Sequence, residues 1–511
     1  MTLGCTRSVA VTGIEGTVVA VEADVANGLP AFMVSGLPDA ACAQSPDRVK
    51  AAVVNSDLRL PHQRITVNLS PASLPKQGAG FDLAIAVAAL AAGGTVPADQ
   101  VAEVVHLGEL GLDGAVRPVR GVLPAVLAAA EAGVMTVAVP VENAAEAALV
   151  EGVRVHPVRH LADLVARYVA QGRGRPVEEP EIVLGPNEPP ESPLDLADVA
   201  GQPEARYALE VAAAGGHHMS MLGPPGAGKT MIAERLPGLL PLLDRPQALE
   251  VTAVHSVLGV LSDAVLIERP PFVAPHHGAS MAAIIGGGSG RVRPGAVSRA
   301  SSGVLFLDEA PEFRRDVLDA LRQPLESGRV SIARADRNVT YPARFQLVLA
   351  ANPCPCGQAY GKGRGCTCSP LRRRTYLAKL SGPLMDRVDL QLTVQPVTKA
   401  ALRTGPGESS SLVAERVAVA RERQARRWQM HPWQLNSQVP GPILRSEAWR
   451  LERRATRTMD SALELGTLTL RGYDRVLRIA WTLADLAGRP CPGEGELMTA
   501  LSLRSQQVEA A

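Results

Sequence analysis

Aromatic residues are scarce. Phe, Trp and Tyr together make up 3% of the chain. Its cores must therefore be built from Ala, Val and Leu, within an overall hydrophobic content of 46%. Lysine is scarcer still, at six residues against 46 arginines, so a lysine inside a motif is easy to read. Long apolar runs are also lacking. The longest, LAIAVAALAA at 83–92, falls short of the ~18 residues a membrane span needs. The N-terminal stretch MTLGCTRSVAVTGIEG has no apolar core with a basic flank, so no signal peptide is read and a cytoplasmic location is expected. Net charge is +1; this balance neither requires nor excludes a nucleic-acid partner, and the placement of charge decides. Seven cysteines, four of them clustered, fit a reducing compartment better than a disulfide framework.

What is present falls into parts. A chain of 511 residues suggests about three domains. QGRGRPVEEPEIVLGPNEPPESP, starting at 171, is rich in Pro, Glu and Gly without amphipathic periodicity and reads as a linker. A softer break lies near 394–411. The expected division is residues 1–170, a linker 171–192, a middle part 193–396, and a helical part 397–511. In the middle part HHMSMLG, GVLFLDE, FQLVLAAN and VDLQLTV read as strands separated by helical stretches. That alternation implies a parallel sheet covered by helices, within a multidomain α/β protein.

The first strand ends in Gly223-Pro224-Pro225-Gly226-Ala227-Gly228-Lys229-Thr230, a G-x-x-x-x-G-K-[ST] loop. Its glycines let backbone N–H groups curl around phosphates. Lys229 reaches the terminal phosphates, Thr230 offers a hydroxyl to Mg²⁺, and the following helix points its positive end at the anion. Further on, GVLFLDEAPEF ends a strand in Asp308, suited to the Mg²⁺ shell, and Glu309, suited to activating water. An acidic strand end near solvent is common by itself; beside a phosphate loop it gains meaning. Asn352 ends the next strand, and ligands bind at the carboxyl ends of parallel strands. Arg387 and Arg471 are arginines that could meet developing phosphoryl charge. Surface ion pairs with Asp386, Asp389 or Asp474 are the alternative.

Together these residues resemble the AAA+ ATPases. PFVAPHHGASMAAIIGGGSGRVRPGAVSRASSGVLFLDEAPEF is similar to the helix-2-insert region of magnesium-chelatase-like ATPases, and RVSIARADRNVTYPAR to a pre-sensor hairpin. The resemblance runs nearly end to end and points to the ComM/YifB family. It implies an AAA+ core with a C-terminal helical lid, with Asn352 as sensor 1, Arg387 as arginine finger and Arg471 as sensor 2. It implies ATP and Mg²⁺ as cofactors and hexameric rings around DNA. The implied activity is branch migration of recombination intermediates, with recombination proteins as further partners. Gly278 departs from the hydroxyl residue expected after PHH.

The stretch from Gly28 to Ala92 resembles the Lon-protease-like α+β domain that opens this family. The position of the dyad serine falls on Gly80 and that of the lysine on Leu123. Neither side chain can supply the Ser–Lys chemistry, so a scaffold without protease activity is expected. Cys354, Cys356, Cys366 and Cys368 form an insertion at 354–368. Four thiolates suit a closed, structural Zn²⁺ site; free thiols and a redox pair are the alternatives. Lys362 and Arg364 make that insertion basic and DNA-facing. By analogy, Arg334 and Arg337 near the hairpin tip are candidates for gripping DNA. Arg372–Arg374, Arg421/Arg423/Arg426/Arg427 and Arg450/Arg453/Arg454/Arg457 are either phosphate contacts or solvated and salt-bridged faces. His276 and His277 read as loop hydrogen-bonders rather than ligands. Rival functions are a chelatase subunit driving metal insertion, an ATP-dependent protease, and a MoxR-like remodelling chaperone.

Overall fold

The computed structural model describes residues 3–177, 182, 194–261, 266–288, 292–334, 338–360, 365–398 and 407–505. Arg337, Lys362 and Arg364 lie outside the described residues. The chain divides into two units, residues 1–188 with 249–267, and residues 189–248 with 268–511.

The first unit is built on seven strands: β1 (Gly4–Thr12), β2 (Glu15–Ala26), β3 (Ala31–Ser35), β4 (Arg64–Ser70), β5 (Val105–His106), β8 (Thr136–Pro140) and β9 (Arg154–Val158). Their order is β3-β4-β2-β1-β5-β8-β9. A small separate hairpin joins β6 (Glu109–Leu110) to β7 (Val116–Arg117). Alternation along β2 buries Val19, Val21 and Ala23, as a one-sided strand should. The apolar run noted in the sequence is the helix Asp82–Ala92, with every residue buried. A helix apolar all round belongs inside a core.

Sequence composition assigned residues 249–267 to the middle part, but the structure groups them with the first unit. The reason is one helix face. Leu249, Ala253 and Ser256 follow helical spacing; the first two join the core around Leu123 and Val126, and the Ser256 hydroxyl donates to buried Glu146. Glu146 also accepts from the Leu123 N–H at 2.9 Å.

The second unit carries β10 (Met219–Leu222), β11 (Phe272–Val273), β14 (Val304–Leu307), β17 (Gln346–Ala351) and β18 (Leu390–Thr393). They form one parallel sheet in the order β11-β14-β17-β10-β18. Every residue of β10, β14 and β17 is buried, the pattern of strands covered on both faces. Two small hairpins accompany it, β12 (Gly286–Gly287) with β13 (Arg293–Pro294), and β15 (Arg329–Ala333) with β16 (Asn338–Pro342). The latter matches the hairpin expected from RVSIARADRNVTYPAR; Arg334 follows β15 directly.

The C-terminal part is helical, with its main helices at Ser410–Trp428, Arg453–Glu464, Leu470–Leu486 and Glu494–Ser505. It shares a hydrophobic core with the sheet: Met219, Ile232 and Leu392 cluster with Val417, Trp428 and Val476. All four tryptophans lie here. Trp449 is 4.6 Å from Trp428 and 5.9 Å from Trp481, centroid to centroid, and Trp433 is 6.3 Å from Trp428. One basic cluster is explained by this packing. Arg421 donates twice to the Ala213 carbonyl, Arg427 pairs with buried Asp485, and Arg423 reaches the Asp485 carbonyl.

A candidate nucleotide site at the carboxyl edge of the sheet

The phosphate-loop sequence runs from the end of β10 into the helix Lys229–Leu239. Gly226 and Gly228 take φ of +76° and +89°, conformations glycine adopts without steric cost. Gly223 has a different reason to be glycine. A Cβ there would sit 2.4 Å from the Val394 carbonyl oxygen, so the loop leaves the sheet against the chain that follows β18.

Lys229 is buried. Its Nζ donates to the carbonyls of Gly223 at 2.7 Å and Pro224 at 3.0 Å, and to Asn352 Oδ1 at 3.1 Å. Burial lowers its pKa from the usual lysine range, while the carboxylates of Asp308 and Glu309 pull it back up. Asn352 follows β17, the strand beside β10, and this adjacency brings its amide to Lys229. Asp308 follows β14. Its Oδ2 accepts from the Thr230 hydroxyl at 2.7 Å, and its Oδ1 from the Glu309 N–H at 2.8 Å. The structure thus brings together Lys229, Thr230, Asp308, Glu309 and Asn352 from three strand ends and one helix.

Glu309 has φ +48°. A non-glycine residue in the left-handed region costs on the order of 1–3 kcal/mol, and such residues cluster at functional sites. Its Oε2 lies 3.3 Å from His277 Nδ1. The sequence reading held for His276, whose Nδ1 accepts from the Gly278 N–H at 3.0 Å. It missed that His277 faces the acidic pair. The available signal was position: the histidines follow β11, which pairs with β14 at the sheet edge.

The two arginines are placed elsewhere. Arg387 pairs with Glu326 and donates to the Pro383 carbonyl, not to the neighbouring aspartates. Arg471 is exposed at the start of its helix, 3.9 Å from Asp386; Asp474 instead takes Arg445 at 2.9 Å. Neither arginine is joined to the phosphate loop by these contacts.

The four clustered cysteines converge. Their sulfur atoms all lie within 4.8 Å of one another, with Cys354 at 3.3 Å from Cys356 and both 3.7 Å from Cys366. Tetrahedral Zn²⁺ at 2.3 Å from each sulfur sets sulfur–sulfur edges of about 3.8 Å, so this donor set fits the ion closely. A four-thiolate set leaves no open position, so an ion held there would serve structure rather than catalysis. Purified protein should carry about one zinc per chain, and the double variant Cys356→Ser/Cys366→Ser should carry almost none. Elemental analysis checks this; metal-free wild-type protein would remove zinc from the account.

A glycine-rich turn between a buried parallel strand and a helix, with acidic and amide groups at the adjoining strand ends, is the architecture of a P-loop domain of the AAA+ type. Comparison with known proteins narrows this. The family described as magnesium chelatase, subunit ChlI, matches residues 195–402, that of subunit ChlI of Mg-chelatase residues 21–143, and the ChlI C-terminal family residues 407–504. An uncharacterised protein of Mycobacterium tuberculosis is 53% identical over 505 residues, covering 99% of both chains. Competence protein ComM of Haemophilus influenzae is 39% identical over 507 residues, covering 99% of this chain and 98% of its own. The uncharacterised protein YifB of Escherichia coli is 38% identical over 509 residues, covering 99% and 97%. The chain belongs to the ComM/YifB family of magnesium-chelatase-like AAA+ proteins.

Proposed function

We propose that this protein is an ATP-driven, ring-forming DNA motor, a helicase or branch-migration factor acting on recombination intermediates. The observation that carries the ATPase half is the convergence of Lys229, Thr230, Asp308, Glu309 and Asn352 at one sheet edge. The DNA half is supported by similarity to a protein named for competence.

In this reading the loop Gly223–Thr230 cradles the phosphates and Lys229 neutralises their developing charge. Thr230 and Asp308 hold the Mg²⁺ shell, which screens the phosphates when the ion is bound. Glu309 takes a proton from the attacking water, and His277 steadies its carboxylate. Asn352 orients the water and Lys229. Arg387 serves the nucleotide of a neighbouring subunit in a hexamer, and Arg471 senses the nucleotide of its own. The hairpin β15–β16 carries Arg334 towards DNA. The first unit serves as a scaffold: Gly80 and the buried Leu123 offer neither a hydroxyl nor an amine for proteolysis.

The test is ATP hydrolysis by the purified protein, alone and with single-stranded or forked DNA. A DNA-dependent rise supports the motor. Hydrolysis indifferent to every DNA would sink it and favour protein remodelling instead.

A further inference from the structure

The cysteine cluster is braced against the phosphate loop. Gly357, one residue past Cys356, has φ +75°, and a Cβ there would lie 2.5 Å from Pro225 Cγ. The cluster also begins two residues after Asn352. Beyond it the helix Pro370–Leu377 starts, capped by the Ser369 hydroxyl, which accepts from the Arg372 N–H at 3.2 Å. Buried Tyr376 of this helix faces the acidic segment. Burial raises its phenol pKa, and the carboxylates of Glu312 and Glu309 add to that. The cysteine insertion therefore meets the phosphate loop at Pro225, and its helix meets the segment that carries Glu309 and Glu312.

The same element carries exposed cations without an acidic partner among the described residues. No Asp or Glu occurs from Pro353 to Met385. Arg372 and Arg373 sit towards the amino end of the helix, which has no acidic residue in its first turn, and Arg374 falls in its last turn. Cations near the positive end of a helix dipole are unfavourable unless an anion joins them. Arg372 and Arg374 are exposed, and among the described residues neither guanidinium makes an ion pair. Tyr360 lies between Cys356 and Cys366 in the chain and is 47% exposed. Among the described residues, Tyr207 and Tyr360 are the exposed aromatics. Tyr360 and Arg372 are each four residues from a clustered cysteine, so neither Cα is more than about 14 Å along the chain from that cysteine's Cα. An exposed ring and unpaired arginines on one element are the combination that holds single-stranded nucleic acid, the bases stacking and the phosphates pairing.

We infer that Tyr360, Arg372 and Arg374, held by the cysteine cluster, form a single-stranded DNA-binding surface that reports its occupancy to the phosphate loop through Gly357 and Pro225. This rests on the motor reading above and locates one of its DNA contacts. A strand seated on the arginines shifts the insertion, and Pro225 carries that shift to the groups around Lys229.

The test uses full-length protein and a fluorescent oligothymidylate, followed by anisotropy over a range of salt and by ATP hydrolysis. For Arg372→Ala/Arg374→Ala we expect affinity to fall at least about tenfold and the log–log salt slope to shrink by about 1.4, two contacts at ~0.7 each on a single strand. Hydrolysis without DNA should stay within about twofold of wild type, while DNA stimulation is lost. Tyr360→Ala should weaken binding without changing the slope. Arg453→Ala/Arg454→Ala, which removes two exposed arginines from a C-terminal helix, is the control for lost charge and should leave the slope unchanged. Gly357→Ala should retain DNA affinity but lose stimulation. Wild-type binding with an unchanged slope in Arg372→Ala/Arg374→Ala, or an equal fall in the control, overturns the location and leaves the motor reading standing. Wild-type protein that binds no oligonucleotide overturns both.

Discussion

Glu309→Gln should leave ATP binding intact while hydrolysis falls by on the order of 10²–10⁴-fold, the usual loss when a positioned base is removed. The side chain is nearly isosteric, so the geometry around it should persist. The loop glycines, Lys229 and the Thr230–Asp308 hydrogen bond at 2.7 Å do not depend on its charge. What disappears is the carboxylate that can accept a proton from water. The position supports this assignment. Glu309 follows a fully buried strand, its backbone lies at φ +48°, and His277 holds its outer oxygen at 3.3 Å. Equilibrium binding of a fluorescent ATP analogue and steady-state phosphate release separate the two effects. Hydrolysis within about tenfold of wild type would remove Glu309 from the role of base.

The second large effect is on stability. Asp389 lies just before β18 and is fully buried. Its Oδ1 accepts from Arg475 Nη1 at 2.6 Å, and its Oδ2 from the His218 N–H at 3.2 Å, with His217 Nδ1 at 3.4 Å. Arg475 also donates to the Asp386 carbonyl at 2.9 Å, and Arg504 to that of Val388 at 2.8 Å. Two C-terminal helices thus grip residues 386–389, the segment that contains Arg387. Asp389→Asn leaves the largely buried Arg475 guanidinium without its counter-charge. Breaking such a pair from one side costs about 3–5 kcal/mol. At roughly 2 °C per kcal/mol, the low end for sizeable domains, the melting temperature should fall by at least about 6 °C.

The pH dependence follows from the sign of the shift. Burial by itself would raise the Asp389 pKa, but Arg475 and His217 outweigh it and hold the carboxyl well below its usual range. A depressed native value contributes stability above the unfolded pKa of about 3.9, and that contribution is lost as pH falls through the native value. The deficit of Asp389→Asn should therefore be constant between about pH 5 and 7 and shrink in stronger acid. Thermal melts of both proteins across that range decide it. A deficit that grew towards acid would contradict the assignment.

Much of the candidate nucleotide site was legible because short-range geometry dictates it. Gly223 to Thr230 form a loop whose spacing encodes its shape, and Asp308 and Asn352 sit at the ends of apolar runs that could only be strands. The parallel alternation was equally plain. Contacts created by tertiary packing were not. β11 is two residues long, too short for any periodicity, and so His277 had no visible reason to face Glu309. The Asp389 network joins residues 86 and 171 positions apart. Arg421 read as a surface cation, yet it is half-buried, its guanidinium donating to the Ala213 carbonyl. The grouping of residues 249–267 with the first unit depends on a helix face whose partners lie far earlier in the chain.

The clustering of all four tryptophans among the C-terminal helices has an optical consequence. Indole emission from this protein originates there alone, while the rest of the chain is silent at wavelengths that excite only indole. Energy passes readily between rings this close, so the group should behave as one emitter. Its intensity is a built-in, label-free gauge of rearrangement in the C-terminal helices, and the helix bearing Arg471 and Arg475 carries one of the rings, Trp481. Rapid mixing with nucleotide would time that movement directly, without a dye or an engineered site.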